Sequence, residues 1–259
     1  MNDKPHISQS QVNRYLKCGL QYKYHYIDGN KKPINSAMLR GSSIDHSANV
    51  HFQKKIDDGQ GVDIEKFIDY AVDYHDRQED NRGEKQEVVF DIPKAKSRDM
   101  VAELSEAYHK VFGRYSPSNV QLKIEKEYDE ELNFIGYVDM WLPDGLYEGQ
   151  GGLVLDNKVW AKDKRTNPDL TKDTQLVKYA ELLGARKVGL SVVTYQNGNP
   201  VGKLILADIT QKHIDSVNRR IDKMVEGIRK EVYNPPDQSV WWCTPKWCGY
   251  WDECEFGGK

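Results

Sequence analysis

Asp139, Asp156 and Lys158 have the types and spacing to handle a phosphate group. Asp139 closes the apolar, β-prone run Phe134, Ile135, Tyr137, Val138, and Val154-Leu155-Asp156-Asn157-Lys158-Val159-Trp160 alternates in a second run. Residues i and i+2 of an extended strand share a face, so Asp156 and Lys158 point the same way. If the two strands pair, two carboxylates and an ammonium enter one pocket. Such a pocket suits Mg²⁺ or Mn²⁺: a hard cation takes oxygen ligands and is commonly held by one or two carboxylates plus substrate phosphate oxygens. The cation would lower the pKa of a water and offset charge developing on phosphorus-bound oxygen. Lys158 would orient that water or neutralise the charge. The plainer account of Asp-x-Lys is a solvated ion pair, common in a chain with 30% charged residues.

Thr171 to Leu183 reads as a helix, with Leu176, Val177, Ala180, Leu182 and Leu183 at its apolar positions. Gln175 and Tyr179 are four apart and share one face. There they could hold a phosphate or a base edge. The alternative is a solvated Gln175 and a Tyr179 packed in the core with its hydroxyl at the rim.

Cys18 stands alone near the start of the chain, whereas Cys243, Cys248 and Cys254 cluster near its end. Met1 to His6 is polar and carries no signal-peptide core, so a reducing compartment and metal binding account for the thiols better than disulfides do. Four thiolates suit a [4Fe-4S] cluster or a structural Zn²⁺. Zinc sites usually show two tight cysteine pairs, and the one-plus-three layout favours the cluster. Trp241, Trp242, Trp247 and Trp251 surround the later thiols and would shield it.

The order Gly136-x-x-Asp139, Asp156-x-Lys158, Gln175-x-x-x-Tyr179 resembles the RecB-like branch of the PD-(D/E)XK nucleases. The resemblance implies metal binding by Asp139, Asp156 and the backbone carbonyl of Asn157, with Lys158 as catalytic lysine. A preceding Gly-x-x-x-His helix motif is matched by Gly41-Ser42-Ser43-Ile44-Asp45, with Asp45 in the histidine's place and His46 one residue later. Neighbouring residues on a helix diverge by about 100°, so one of the two faces the metal. Asp45 is in register; His46 is the fallback. The cysteine layout is similar to that of the iron-sulfur subset, including CRISPR-associated and phage exonucleases, although those relatives often carry Cys-Pro where this chain has Cys18-Gly19.

The elements that must position these groups follow from periodicity. Ser8 to Ile27, Ser36 to Ile56, Val62 to Gln78 and Lys94 to Tyr115 read as helical, the first breaking near Cys18-Gly19. Strands dominate Val120 to Leu206; Lys187 to Tyr195 is a near-continuous β-branched run, the pattern of a buried central strand. Ile209 to Val232 reads as a long helix. The expected fold is α/β (α+β): a restriction-endonuclease-like central mixed sheet flanked by helices, in a single domain. Residues 1–118 form a helical region, 119–232 the catalytic core and 233–259 a cysteine-rich tail.

Hydrophobic residues make up 38% of the 259, and no apolar run approaches the ~20 residues that span a bilayer. A soluble, cytoplasmic protein is expected. The net charge of −3 excludes nucleic-acid attraction by the whole molecule, so it must be local. Arg40, beside the Gly41 motif, and Lys162, Lys164 and Arg165, just after the Asp156 strand, are the candidate phosphate contacts. The expected function is a Mg²⁺- or Mn²⁺-dependent deoxyribonuclease, an exonuclease on single-stranded or frayed DNA ends. Its partners would be DNA and proteins of recombination, replication or CRISPR adaptation. The alternative is a binding module of the same fold that recognises DNA ends without cutting.

Overall fold

A computed structural model describes residues 4–78, 83–146, 151–161 and 166–257. In chain order the elements are β1 (His6–Ser8), α1 (Gln9–Lys17), α2 (Gly19–Tyr22), a π-turn (Lys23–Ile27), β2 (Ile34–Asn35), α3 (Ser36–Asp58), α4 (Ile64–Arg77), β3 (Val88–Val89) and α5 (Lys94–Phe112). There follow β4 (Asn119–Glu127), β5 (Asn133–Leu142), β6 (Leu153–Val159), a 3₁₀ turn (Leu170–Lys172), α6 (Thr174–Leu183), β7 (Lys187–Gln196), β8 (Asn199–Asp208) and α7 (Gln211–Arg229). The chain divides into two compact units, one of residues 33–123 and 137–210, the other of 1–32, 124–136 and 211–259.

In the first unit β5 pairs antiparallel with β6, β6 parallel with β7, and β7 antiparallel with β8. This is the expected central mixed sheet. β7 is buried from Val188 to Thr194, as its β-branched run predicts for a central strand. Met140 and Leu142 of β5, Leu153 and Leu155 of β6 and Val193 of β7 pack in one core with Ile44, Ala48 and Phe52 of α3 and Leu104, Tyr108 and Phe112 of α5. Alternation then directs Asp139, Asp156 and Lys158 to the opposite face, where Asp156 meets Gln175 of α6.

Helix α3 begins where the Asn35 side chain accepts a hydrogen bond from the Met38 N–H, 2.9 Å, and stops at Gly59, whose φ of 79° is easy only for glycine. Its buried positions Leu39, Arg40, Ser43, Ile44, Ser47, Ala48 and His51 recur at helical spacing. The Ser43 hydroxyl donates to Leu39 O at 2.7 Å and that of Ser47 to Ile44 O at 3.0 Å, so these buried hydroxyls are satisfied within the helix.

In the second unit the expected break near Cys18 is real: Cys18 is extended and separates α1 from α2. Gly19 donates its N–H to Asn234 O at 2.9 Å, and a Cβ there would lie 2.8 Å from the Asn234 N. A proline lacks that donor and would bring ring atoms to the same place, which explains glycine after Cys18. Among the described residues no helix is long and apolar enough to cross a membrane.

Candidate active site

The β5–β6 ladder runs Leu142↔Leu153, Trp141↔Val154, Met140↔Leu155 and then ends, with Asp139 and Asp156 at the next step. The N–H of Asn157 donates to Asp139 Oδ2 at 2.8 Å. Asp156 is only 4% exposed; its Oδ1 accepts from Gln175 Nε2 at 2.8 Å, and its Oδ2 pairs with the Lys158 ammonium. Asp45 reaches the same pocket from α3. Its Oδ1 accepts from Asn157 Nδ2 at 3.0 Å and its Oδ2 from Asn49 Nδ2 at 3.1 Å. His46 turns elsewhere and stacks on Tyr74, ring centroids 4.7 Å apart.

Asn157 is a junction. Its side-chain Oδ1 accepts from the fully buried Tyr108 hydroxyl at 2.7 Å while its amide group and backbone N–H hold Asp45 and Asp139. Tyr179 is buried, and its hydroxyl accepts from the Tyr137 N–H at 3.1 Å. It fastens α6 to β5. Gln175 braces an acid. Helix α6 is itself set by Asp173, which caps it by accepting from the Gln175 and Leu176 N–H groups.

Burial raises the pKa of all three acids. For Asp139 burial is joined by repulsion from Asp45 and Asp156, which carries it well above the usual carboxylate range. Burial lowers the Lys158 pKa, but Asp156, Asp139 and Asp173 more than offset this, and its net shift is upward. The surrounding acids favour the ammonium form of Lys158.

Three acids, one buried and two half-buried, against one ammonium are short of positive charge, and hard oxygen donors with that deficit fit a divalent cation. Among the described residues no three His, Cys, Asp or Glu side chains are grouped closely enough to hold an ion as they stand. Amides stand between the acids: Asn157, and also Gln121, whose Nε2 lies 3.3 Å from both Asp45 Oδ2 and Asp139 Oδ1. Gln121, Asn49 and Tyr108 were not expected here. Gln121 and Tyr108 arrive from elements distant in sequence, whereas Asn49 is one helical turn after Asp45 on α3, a spacing that could have pointed to it.

A sequence model of the PD-(D/E)XK nuclease superfamily matches residues 6–255. The chain belongs to that superfamily. The solved structure of a protein from Eubacterium rectale, described as a candidate exonuclease, superposes with a TM-score of 0.54 at 16% identity, covering 93% of this chain and 88% of that one. That likeness shows the nuclease fold. A phage-related exonuclease from Haemophilus somnus aligns at a TM-score of 0.31 and 10% identity, over 77% of this chain and 96% of its own. No curated protein matches. PD-(D/E)XK nucleases generally use divalent metals, in keeping with the acid pocket.

The second unit holds the four cysteines, none in a disulfide. With Trp242 and Trp251 they line one predominantly apolar pocket. Burial raises the Cys18 and Cys243 pKa values, and repulsion from Cys248 and Cys254 raises both further. Gln21 donates its N–H to Cys18 Sγ and its side-chain amide to Cys248 Sγ, each at 3.4 Å. Four soft sulfur donors thus line one apolar pocket; among the described residues they do not converge closely enough to hold a single ion as they stand.

Some expectations need correction. Arg40 is not on a nucleic-acid face: it is 5% exposed, and its guanidinium donates to Ser36 Oγ at 3.1 Å and Ser97 Oγ at 3.3 Å. The helical period put it on the packed side of α3. Trp241 and Trp247 do not shield the thiols, being 67% and 54% exposed. Lys162, Lys164 and Arg165 lie outside the described residues.

Proposed function

We propose that the chain is a Mg²⁺- or Mn²⁺-dependent deoxyribonuclease, an exonuclease acting on single-stranded or frayed DNA ends. The observation that carries this reading is the end of the β5–β6 ladder, where Asp139 and Asp156 come opposite each other with Lys158 paired to Asp156. Asp45, Asp139 and Asp156, with the Asn157 carbonyl, would hold the cation, and His46, stacked on Tyr74, takes no part. The bound cation supplies an activated water and offsets charge on the phosphate.

The chain's own groups do the rest. Lys158, kept protonated by its acidic neighbours, places a positive donor beside the scissile phosphate as negative charge builds on its oxygens. Gln175 fixes the Asp156 carboxylate, and Tyr179 holds β5 against α6, so the acids keep their orientation while DNA enters and leaves. Lys162, Lys164 and Arg165, following the catalytic strand, are proposed to contact backbone phosphates.

Cys18, Cys243, Cys248 and Cys254 are assigned to a [4Fe-4S] cluster of structural role, tying α1 and α2 to the C-terminal segment. The nuclease proposal is tested with end-labelled single- and double-stranded DNA in Mn²⁺ and in EDTA. Mononucleotides released from the ends in Mn²⁺ alone support it. DNA binding with no hydrolysis in either medium identifies a binding module instead.

A further inference from the structure

Gln121 has a place in the acid pocket that none of the motifs assigns. Its Nε2 lies 3.3 Å from Asp45 Oδ2, 3.3 Å from Asp139 Oδ1 and 3.4 Å from Asn49 Oδ1. An amide nitrogen carries two hydrogens. Three oxygens at nearly equal, long distances therefore share them, where two good bonds would have been shorter. The NH₂ group acts as a centre of partial positive charge among the oxygens, partner to no single one.

The backbone is committed to this placement. Gln121 has a φ of 45° although it lies within β4. A residue with a Cβ enters that region only at an energetic cost, and such strain persists where surrounding contacts hold it. Here those contacts are with α3 and β5, the two elements that carry Asp45 and Asp139.

We propose that Gln121 is a positioning residue that holds the metal-free acid pocket together, its amide N–H group standing in for the cation and yielding its place when a divalent cation binds. The proposal rests on the metal-dependent reading of the pocket and adds a built-in competitor to it. Without that amide, Asn157 would be the donor left, among the described residues, that bonds both Asp45 and Asp139.

Gln121→Gly is the discriminating variant, because glycine removes the amide while adopting a φ of 45° without strain. Its melting temperature in EDTA should fall below that of the unaltered protein despite the relaxed backbone, and in saturating Mn²⁺ it should equal or exceed it. By calorimetry on catalytically idle protein, Mn²⁺ should bind about 2- to 10-fold more tightly, the equivalent of one net hydrogen bond no longer displaced. Gln121→Glu should tighten Mn²⁺ binding further and melt lower still in EDTA.

A Gln121→Gly protein that melts higher by the same amount in both media, with unchanged Mn²⁺ affinity, overturns the proposal alone. Weaker Mn²⁺ binding by that variant also overturns it, by making Gln121 a ligand and not a placeholder. Absence of Mn²⁺ binding to the unaltered protein overturns the metal reading of the pocket, and this proposal with it.

Discussion

Each carboxylate of the acid pocket stands on a helix or strand and already has amide donors, Asn157 and Asn49 for Asp45, the Asn157 N–H for Asp139, Gln175 for Asp156. The thiols of the cysteine pocket stand in turns. Around Cys243, Cys248 and Cys254 the backbone is held by short-range bonds such as Cys243 N–H to Val240 O, 3.0 Å, and Cys248 N–H to Thr244 O, 2.9 Å. Gln21 donates from both its backbone and its side chain to two of the sulfurs. In one pocket the chain's own amides hold the carboxylates. The other is lined by four sulfurs, and the cluster proposed for it would join them.

That contrast predicts unequal responses to mutation. Cys248→Ala should remove the brown colour and absorbance near 400 nm of anaerobically purified protein, and with them most of its bound iron. The segment from Cys243 to Cys248 should become more protease-sensitive, while Tyr250 and Glu253 keep their bonds to Asn30 and Lys32. Retention of iron and of protease resistance would show that the thiol pocket, like the acid one, stands unaided.

Gln175→Ala should leave the fold unchanged but lower the rate of cleavage about 10- to 100-fold, the usual cost of losing a group that orients a metal ligand. It removes a donor to the charged form of Asp156, so the acid limb of the pH–rate profile should move to higher pH. An unmoved acid limb would mean that Gln175 does not brace a working carboxylate.

A smaller effect concerns stability without metal. Burial first, then Asp45 and Asp156, lifts the Asp139 pKa in the folded chain above its unfolded value. Such a group favours the folded state most below the unfolded pKa, about 3.9, and that contribution is lost as pH rises through the raised folded value. Asp139→Asn should therefore raise the melting temperature in EDTA at pH 8 more than at pH 5, by about 2–4 °C for each kcal/mol relieved. A variant melting at or below the unaltered protein at pH 8 would show that the pocket's donors already neutralise Asp139.

Much of this was legible in the chain. Strand alternation put Asp156 and Lys158 on one face, the apolar runs located β5, β6 and β7, and the order of short motifs reached the right superfamily. Asp45, not His46, reaches the pocket, as register on a helix suggested. What sequence did not reveal depends on tertiary contact. Gln121 and Tyr108 are ordinary polar residues until the fold joins β4, α3 and α5 at one point. Arg40 looked like a surface charge because its neighbours Ser36 and Ser97, which satisfy the guanidinium, lie a turn away and on another helix. Gln175 and Tyr179 both lie on α6, as their spacing implied, and meet an acid and a backbone N–H.

Lys158→Ala, compared with the unaltered protein on end-labelled DNA in Mn²⁺, tests the nuclease reading of the acid pocket most directly. The account predicts a fall in cleavage of at least about 10²- to 10³-fold, the scale of losing one donor that stabilises transition-state charge. Circular dichroism and iron content should match those of the unaltered protein. Cleavage at the unaltered rate by a folded Lys158→Ala protein would contradict it.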